Sequence, residues 1–236
     1  MTKICIVYAH HKLGDLIWQL PYIKAISEHH KQKVDLIVRK KTQAKNILKD
    51  DLYIKDILFI DRDHLDSKHS GIKGFFKLLN ELKKFKFKKI YIMHASLRYF
   101  ILGKLLGAKK IFSYGLLKEN ENISKKIYKI TNEWLSINQF NSTSEINLKV
   151  KDSNNSNNII VGIGSSGLSR RWAKEKITDL ITRINTKNKY KFLLVAGINE
   201  KNLADSIIED LKNSVDIESL CKNSIYDILV KIKNSK

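Results

Sequence analysis

Short apolar runs alternate with longer segments of helical periodicity along most of the chain. An apolar, β-branched run at 4–9 predicts a first strand, and apolar residues then recur at helical spacing over 15–30. The same patterns predict strands at 34–38, 57–60, 89–93, 110–113, 159–163 and 192–196, and helices at 43–49, 71–85, 97–107, 123–135, 173–185, 200–212 and 223–233. This alternation indicates an α/β protein with parallel, helix-covered sheets.

A polar stretch divides the chain into two parts. Residues 152–158 contain no apolar side chain and predict a linker. We therefore expect an N-terminal domain over 1–151 and a second α/β unit over 159–236. The 236 residues are 43% hydrophobic, which is enough for one large core or two modest ones.

The formal net charge of +20 raises the question of a nucleic-acid or membrane partner. Only six of the 44 basic residues are arginine, and the lysines accompany many Ile and Asn residues and a single Pro. We attribute the charge to biased composition on solvated faces and expect no nucleic-acid partner. The charge would still favour approach to an anionic membrane leaflet or to a phosphorylated acceptor.

The cysteines and the apolar runs bear on the compartment. Cys5 and Cys221 have no spacing typical of a zinc site or a disulfide framework, which favours a reducing cytoplasm. No apolar run approaches the roughly 20 residues of a membrane span, and the first strand is too short for a signal-peptide core. His10 and His11 have no carboxylate or cysteine at ligand spacing, so we expect no metal and no cofactor.

The turn after the first strand contains a glycine and an acid, Gly14 and Asp15. In an open α/β sheet this turn lies where ligands bind, beside a helix N-terminus. Because a helix N-terminus already favours anions, a carboxylate there would repel a phosphate. Asp15 therefore fits a base, or a group that binds sugar hydroxyls. His94 and Arg98 follow the fourth strand at the same edge and can bind an acidic acceptor.

A second loop, Gly162–Gly167, matches the G-x-G-x-x-G pattern after a strand. Residues 168–171 separate it from the next helix, and no acid closes the following strand, so we set the dinucleotide fingerprint aside. The alternative is a diphosphate site, since the planar arginine fork matches phosphate oxygens. Its side chains would be those of Ser165, Ser166, Arg170 and Arg171.

Glu200 follows the strand after this loop, where a ribose would lie if the loop bound a diphosphate. A carboxylate can accept hydrogen bonds from both ribose hydroxyls. An acid at a helix N-terminus is also favourable by itself. The residues alone leave both interpretations open.

These motifs follow one another in an order that resembles glycosyltransferase family 9, the heptosyltransferases of lipopolysaccharide core assembly. Lys12–Pro21, with the sequence Lys-Leu-Gly-Asp-Leu-Ile-Trp-Gln-Leu-Pro, resembles the family's Leu-Gly-Asp turn and the proline-containing helix after it. Ile90–Arg98 resembles its acceptor-side strand and loop. Val161–Ile163 with Arg170-Arg171-Trp172 resembles the opening of its donor domain, and Leu193–Gly197 with Glu200 the next strand and the ribose-side acid.

The resemblance implies a GT-B-like fold, with two Rossmann-like domains and a nucleotide sugar bound in their cleft. It implies inverting transfer of a heptose-like sugar, from ADP-heptose, to a lipopolysaccharide core or related anionic glycan, with Asp15 as the general base. It also implies a cytoplasmic protein in peripheral contact with the inner membrane. The donor-binding residues would be Gly14, Ser165, Ser166, Arg170, Arg171 and Glu200, and the acceptor-binding residues Lys12, His94 and Arg98.

The chain departs from the family pattern in two places. His10-His11-Lys12 stand where the family usually has small hydroxyl residues, so a different acceptor is expected. The family's donor domain continues past a segment like Ile225–Ile232 into a further strand and an Asp-Thr/Ser-Gly loop, so the second domain is expected to be incomplete and the chain truncated. The alternative function is a catalytically silent remnant, or an acceptor-binding protein without a complete donor site.

Overall fold

A computed structural model describes residues 2–10, 12–115, 122–149, 157–165 and 167–235. The chain forms two compact units, Met1–Leu148 and Lys149–Lys236. Residues 152–156 of the expected linker lie outside the described residues. No helix in the described ranges is both long and apolar enough to cross a bilayer.

The first unit is a parallel sheet covered by helices. Its elements are β1 (Ile4–Tyr8), α1 (Leu13–His29), β2 (Val34–Arg39), α2 (Ala44–Ile47), β3 (Ile54–Ile60), α3 (Gly71–Lys83), β4 (Lys89–Ile92), α4 (Leu97–Leu105), β5 (Lys110–Ser113) and α5 (Ile123–Leu135). The five strands are parallel, in the order β3-β2-β1-β4-β5. The chain winds outward from β1 to β3 and then returns to the other side of β1 at β4. The strand order therefore reverses between β1 and β4, where open α/β sheets bind their ligands.

Both faces of this sheet are covered, which explains why its middle strand β1 is apolar throughout. Cys5 and Val7 of β1 pack with Leu78 and Leu82 of α3 in one buried cluster, to which α4 also contributes. Because side chains alternate along a strand, the intervening residues of β1 point to the opposite face. Helices α1 and α5 contact each other, and α1 buries apolar residues at helical spacing: Leu16, Leu20, Ile23 and Ile26.

An aromatic cluster attaches α5 to the end of the sheet. The rings of Tyr114 and Trp134 are stacked, with centroids 4.7 Å apart and an interplanar angle of 13°. Trp134 also lies 5.8 Å from the rings of Tyr91 and Phe112, which stack on each other. The buried Tyr114 hydroxyl is 3.4 Å from Oγ1 of Thr131. These contacts fix α5 beside β4 and β5.

The second unit is a smaller parallel α/β unit. Its elements are β6 (Asn158–Gly162), α6 (Lys174–Lys187), β7 (Lys191–Val195), α7 (Lys201–Leu211), β8 (Asp216–Ser219) and α8 (Ile225–Lys233). The described strands are parallel in the order β6-β7-β8. Phe192 of β7 packs with Ile181 of α6 and Ile207 of α7, while the neighbouring Leu193 packs with Ile228 of α8 in a separate cluster.

The predicted α/β class is confirmed, and most predicted elements differ from the observed ones only at their ends. Helix α1 begins at Leu13 rather than at residue 15, so Gly14 and Asp15 lie in its first turn. Strand β3 begins at Ile54, three residues before the predicted start. Strand β8 was not predicted, because its sequence Asp-Ile-Glu-Ser contains two acids and a single apolar residue. Such a composition is tolerated in a short edge strand.

Candidate functional site

In the first unit, a cavity of about 500 Å³ lies at the carboxyl ends of β1 and β4. This is the point at which the strand order reverses. Its polar lining residues are Tyr8, His10, Asp15, Gln19 and His94, and its apolar and aromatic ones are Trp18, Met93, Ala95, Tyr114, Ile123 and Ile127. Asp15 and His94 of the predicted site residues therefore share one cavity. Asp15 is exposed there, within reach of a bound molecule.

The electrostatics of this cavity are set by Asp15 and the side chains around it. Burial, and to a lesser degree the Asp15 carboxylate, raises the pKa of Tyr8, so Tyr8 stays a neutral hydroxyl. Burial, with His10 and Arg39 nearby, lowers the pKa of His94 to about 4. His94 is therefore neutral at pH 7, with one ring nitrogen that donates a hydrogen bond and one that accepts.

Tyr8, Trp18 and Gln19 are among the residues of this cavity that were not singled out from the sequence. A signal was present for Trp18 and Gln19, because residues three and four positions after Asp15 share its helix face. Tyr8 is the last residue of β1, so its side chain lies at the same sheet edge as the Asp15 turn. Sequence alone does not show that its hydroxyl lines a cavity.

Arg98, expected to face the acceptor, is engaged by the protein itself. Its Nη2 donates to the carbonyl oxygens of His69, at 2.9 Å, and Gly71, at 3.1 Å. Its guanidinium also lies over the ring of Phe75, 5.0 Å from the centroid. These contacts hold the start of α3 against α4. Lys12 is exposed immediately before α1.

In the second unit, a cavity of about 670 Å³ lies at the carboxyl ends of β6 and β7. Its described lining residues are Gly162, Gly164, Ser165, Arg171, Val195, Ala196, Gly197, Asn199 and Glu200. Nε and Nη2 of Arg171 both donate to the carbonyl oxygen of Ser165, at 3.0 and 2.7 Å. Nη2 also forms an ion pair with Oε1 of Glu200. Three predicted donor-binding residues are thus linked in one network.

Two glycines allow the strand ends to approach the Glu200 carboxylate closely. A Cβ added at Gly164 would lie 2.9 Å from Cβ of Ala196, and one added at Gly197 would lie 3.0 Å from Oε2 of Glu200. A side chain at either position would push against the neighbouring strand end or the carboxylate. Glycine at these two positions therefore leaves room for the backbone to lie close to Ala196 and to the Glu200 carboxylate.

The remaining predicted donor residues are placed differently. Arg170 is exposed in a short 3-10 turn and does not line the cavity within the described chain, whereas Arg171 does. Gly14 lies beside Asp15 in the first unit. Ser166 lies outside the described residues. Helix α6 begins only at Lys174, so the glycine loop does not open a helix as the dinucleotide fingerprint requires.

Within the described ranges, no cluster of three or more His, Cys, Asp or Glu side chains is placed to hold a metal ion. Between them, the described linings of the two cavities offer hydroxyl, amide, carboxylate, imidazole and guanidinium groups. Such groups suit sugars and phosphates.

No protein-family profile and no curated protein sequence matches the chain. Solved structures do match. E. coli ADP-heptose lipopolysaccharide heptosyltransferase II is 12% identical, with a TM-score of 0.75 over 100% of this chain and 77% of that one. The glycosyl transferase family 9 structure from Veillonella parvula is 15% identical, with a TM-score of 0.70 over 92% of this chain and 70% of that one.

The same fold also occurs in an enzyme of another type. UDP-GlcNAc 2-epimerase from Neisseria meningitidis, bound to UDP-GlcNAc, is 12% identical, with a TM-score of 0.53 over 99% of this chain and 76% of that one. Sequence identities this low establish the fold alone. By its fold, the chain is GT-B-like and similar to the glycosyltransferases of family 9.

Proposed function

We propose that the chain is a glycosyltransferase that moves a sugar from a nucleotide diphosphate sugar to a glycan acceptor, with Asp15 as general base. The observation that carries this proposal is the position of Asp15. Its carboxylate lies in the first turn of α1, at the cavity where the strand order reverses, in a chain with the fold of family 9 glycosyltransferases.

In the proposed reaction the acceptor hydroxyl attacks the anomeric carbon of the donor sugar. Asp15 takes the hydroxyl proton as the new bond forms, and the nucleotide diphosphate leaves from the opposite face, which inverts the anomeric centre. A positioned base contributes about 10²–10⁴-fold to such a step.

The second unit, over 159–236, is proposed to bind the donor. Arg171 and the backbone amides of the Gly164–Gly167 loop would offset the negative charge that develops on the departing diphosphate. Such stabilisation of the transition state is large when the hydrogen-bond donors are already in position. Glu200 would accept hydrogen bonds from the ribose through Oε2, since Oε1 is held by Arg171. Arg170 would supply a second cation from the loop. ADP-heptose is the proposed donor, because heptosyltransferase II is named for it.

The first unit, over 1–151, is proposed to bind the acceptor, a lipopolysaccharide core or related anionic glycan. Lys12, which is exposed before α1, would bind its acidic groups together with His94 and Arg98. Helix α4 exposes a row of apolar side chains, Leu97, Phe100, Ile101 and Leu105, and the net charge is +20. Both features support a cytoplasmic protein that touches the anionic face of the inner membrane.

A transfer assay tests the proposal. The wild-type chain is incubated with ADP-heptose and lipopolysaccharide core acceptors, and release of ADP and growth of the acceptor are measured. Asp15→Asn is expected to lower the rate by at least about 10²-fold. Asp66→Asn, at an exposed position in the turn before α3, is the matched control and should leave the rate unchanged.

The outcomes separate the competing functions. Equal rates for Asp15→Asn and wild type would remove the base assignment. Binding of acceptor without transfer would favour the silent acceptor-binding protein. Conversion of a nucleotide sugar without any acceptor would favour an isomerase of the kind that shares the fold.

A further inference from the structure

Helix α4 exposes a row of apolar side chains to solvent. Leu97, Ile101 and Leu105 follow one another at intervals of four residues, so they share one face of the helix. They are 74%, 42% and 48% exposed. The exposed Phe100 lies beside this row, and Nζ of Lys104 is 5.7 Å from the centre of its ring. A contiguous exposed apolar surface typically marks a place where a protein binds a partner or a membrane.

Helix α3 widens this row into a patch. Ile72 and Phe76 lie one turn apart on α3 and are also exposed. The two helices are neighbours, because the Arg98 guanidinium of α4 lies over the Phe75 ring of α3, 5.0 Å from its centre. The exposed apolar side chains of both helices together form what we call the α3–α4 face: Ile72, Phe76, Leu97, Phe100, Ile101 and Leu105.

The charges on these two helices favour an anionic partner. The only acid in the sequences of α3 and α4 is Glu81, which pairs with Lys68 at 2.6 Å and with His69 at 3.1 Å. The exposed cations on the same helices are Lys73, Lys77, Lys83 and Lys104. Apolar side chains interspersed with lysines are typical of helices that lie on an anionic bilayer. A second copy of the chain, joined through the same face, would bring two sets of lysines together.

A cavity of about 480 Å³ lies at the amino ends of β4 and β5, close to the end of α4. Its described lining residues are Thr2 and four lysines, Lys88, Lys89, Lys109 and Lys110. Lys89 is the register partner of Lys110, and the Lys109 backbone N–H donates to the carbonyl oxygen of Lys88 at 2.8 Å. Like charges on neighbouring strands destabilise a sheet. A bound anion would therefore relieve the repulsion among these lysines.

Protection of the sheet edge accounts for only two of these lysines. Lysine on an edge strand discourages pairing with another chain, and β5 is an edge strand. Lys88 and Lys89 instead lie at the start of β4, which pairs with a strand on each side. Because side chains alternate, Lys88 and Lys109 fall on the same side of the sheet as Ile90 and Ile111. Those two isoleucines pack with residues of α3 and α4, so Lys88 and Lys109 border the α3–α4 face.

We infer that the α3–α4 face binds an anionic phospholipid bilayer, with lipid phosphates held at Lys88, Lys104 and Lys109. The apolar side chains enter the boundary between headgroups and acyl chains, and the lysines pair with phosphates as point charges. The inference rests on the proposed function, in which the protein touches the inner membrane, and it names the surface and the lipid class. No described lining residue of the Asp15 cavity belongs to α3 or α4, so docking leaves that cavity open.

Co-sedimentation with vesicles tests the inference. The full chain is mixed with vesicles of phosphatidylglycerol or of phosphatidylcholine, and the bound fraction is measured against lipid concentration. We expect binding to phosphatidylglycerol to be at least about 10-fold stronger, because only its headgroup carries a net negative charge. Equal binding to the two lipids, or no binding to phosphatidylglycerol, would overturn the inference.

Apolar variants assign the binding to this face. Leu97→Ser and Ile101→Ser are each expected to weaken binding to phosphatidylglycerol vesicles at least about 5-fold, because apolar burial contributes to interfacial binding. Leu52→Ser is the matched control, since Leu52 is 57% exposed outside α3 and α4. All three positions are exposed, so the variants should fold. Unchanged binding in the first two, or an equal loss in the control, would contradict the assignment.

Charge variants test the phosphate contacts. The double variant Lys88→Gln with Lys109→Gln is expected to weaken binding to phosphatidylglycerol vesicles at least about 10-fold. Lys40→Gln with Lys41→Gln is the matched control, because it removes the same charge from two exposed lysines that follow β2. Equal losses in the two double variants would show that net charge alone drives binding and would contradict a site at Lys88 and Lys109.

Other occupants predict different results. A dimer that forms without lipid and is lost in Ile101→Ser would assign the face to a second copy of the chain. Release of the chain from vesicles by inorganic phosphate, but not by chloride at the same ionic strength, would assign the lysines to a free phosphate. Either result would overturn the inference.

The docking surface and the proposed reaction can fail separately, because transfer to a water-soluble core acceptor is measured without vesicles. If the chain binds anionic vesicles as expected but transfers no sugar, the docking surface stands and the proposed reaction fails. If it transfers sugar to the soluble acceptor but does not bind anionic vesicles, the reaction stands and the docking surface fails.

Discussion

The Arg171 guanidinium joins Glu200 to the glycine loop, because it pairs with the Glu200 carboxylate and donates twice to the Ser165 carbonyl oxygen. The planar fork of arginine is required for this arrangement, since lysine offers a single point charge. Binding of a nucleotide diphosphate in this cavity should therefore depend on the shape of residue 171 as well as on its charge.

Arg171→Lys is expected to weaken ADP binding about 10-fold, because the fork to Ser165 is lost while the charge is kept. Isothermal titration calorimetry measures the change. Arg183→Lys is the control, since Arg183 is an exposed residue of α6 that pairs with Asp179 one turn away. A loss of ADP affinity in Arg171→Lys but not in Arg183→Lys would support a diphosphate site that includes Arg171. Equal affinities in both variants would show that Arg171 has no such role.

Gly197→Ala is expected to weaken ADP binding with little change in stability. The new Cβ would lie 3.0 Å from Oε2 of Glu200, and the end of that side chain would have to move away. Gly162→Ala is the matched control in the same cavity, since no atom lies within 4 Å of its added Cβ. Calorimetry with ADP should separate the two variants. A similar affinity in both would mean that the position of Glu200 does not matter for binding.

Tyr8→Phe is expected to leave the free energy of unfolding unchanged or to raise it by up to about 1 kcal/mol, because the lost hydroxyl has no described partner. Tyr91→Phe should lower it by about 1 kcal/mol, because the Tyr91 hydroxyl lies 2.8 Å from Nε2 of His30. Urea denaturation of both variants without ligand measures the difference. A clear loss of stability in Tyr8→Phe would show that its hydroxyl is already satisfied in the free protein.

Stability should fall as the pH falls below about 6.5. Burial, with Lys89 and His29 nearby, lowers the pKa of His30 to about 4, and burial also lowers that of His94 to about 4. Between pH 4 and pH 6.5 the histidines of the unfolded chain bind more protons than those of the folded chain. The free energy that these neutral histidines contribute to folding is therefore complete above pH 6.5 and is lost as the pH falls towards 4.

Thermal melts between pH 7.5 and pH 5 check this dependence. His30→Gln removes the titration while keeping a side chain that can bond to the Tyr91 hydroxyl, so its Tm should fall less than that of wild type. His64→Gln, at an exposed position, should behave as wild type does. An unchanged pH dependence in His30→Gln would exclude this histidine as a source.

The parts of the fold that could be predicted are those with local signals. Apolar runs and helical periodicity placed nearly every strand and helix, and a strand followed by Gly14-Asp15 marked one sheet edge. Ser165, Arg171 and Glu200 could be grouped because each follows a strand, and parallel strands bring their carboxyl ends to one edge. The resemblance to family 9 rests on the same local motifs, and the fold it implies is confirmed.

The parts that could not be predicted depend on tertiary contacts. The choice between Arg170 and Arg171 is decided by the 3-10 turn, which leaves the first exposed and turns the second towards Ser165. The two carbonyl oxygens that engage Arg98 belong to a segment nearly thirty residues earlier in the chain. Whether a buried polar atom such as Oε1 of Gln19 finds a partner cannot be judged without its surroundings.

The stacking of Trp134 on Tyr114 gives the protein its own optical probe. Trp134 is half-buried in an aromatic cluster of the first unit, whereas Trp172 of the second unit is 60% exposed. Fluorescence from Trp134 should be blue-shifted and should report on the attachment of α5, while Trp172 should emit near the wavelength of free tryptophan. With Trp172 replaced by Phe, the remaining emission arises from the first unit alone, where Trp18 also lines the Asp15 cavity. Sugar binding and the melting of that unit can then be followed without a label.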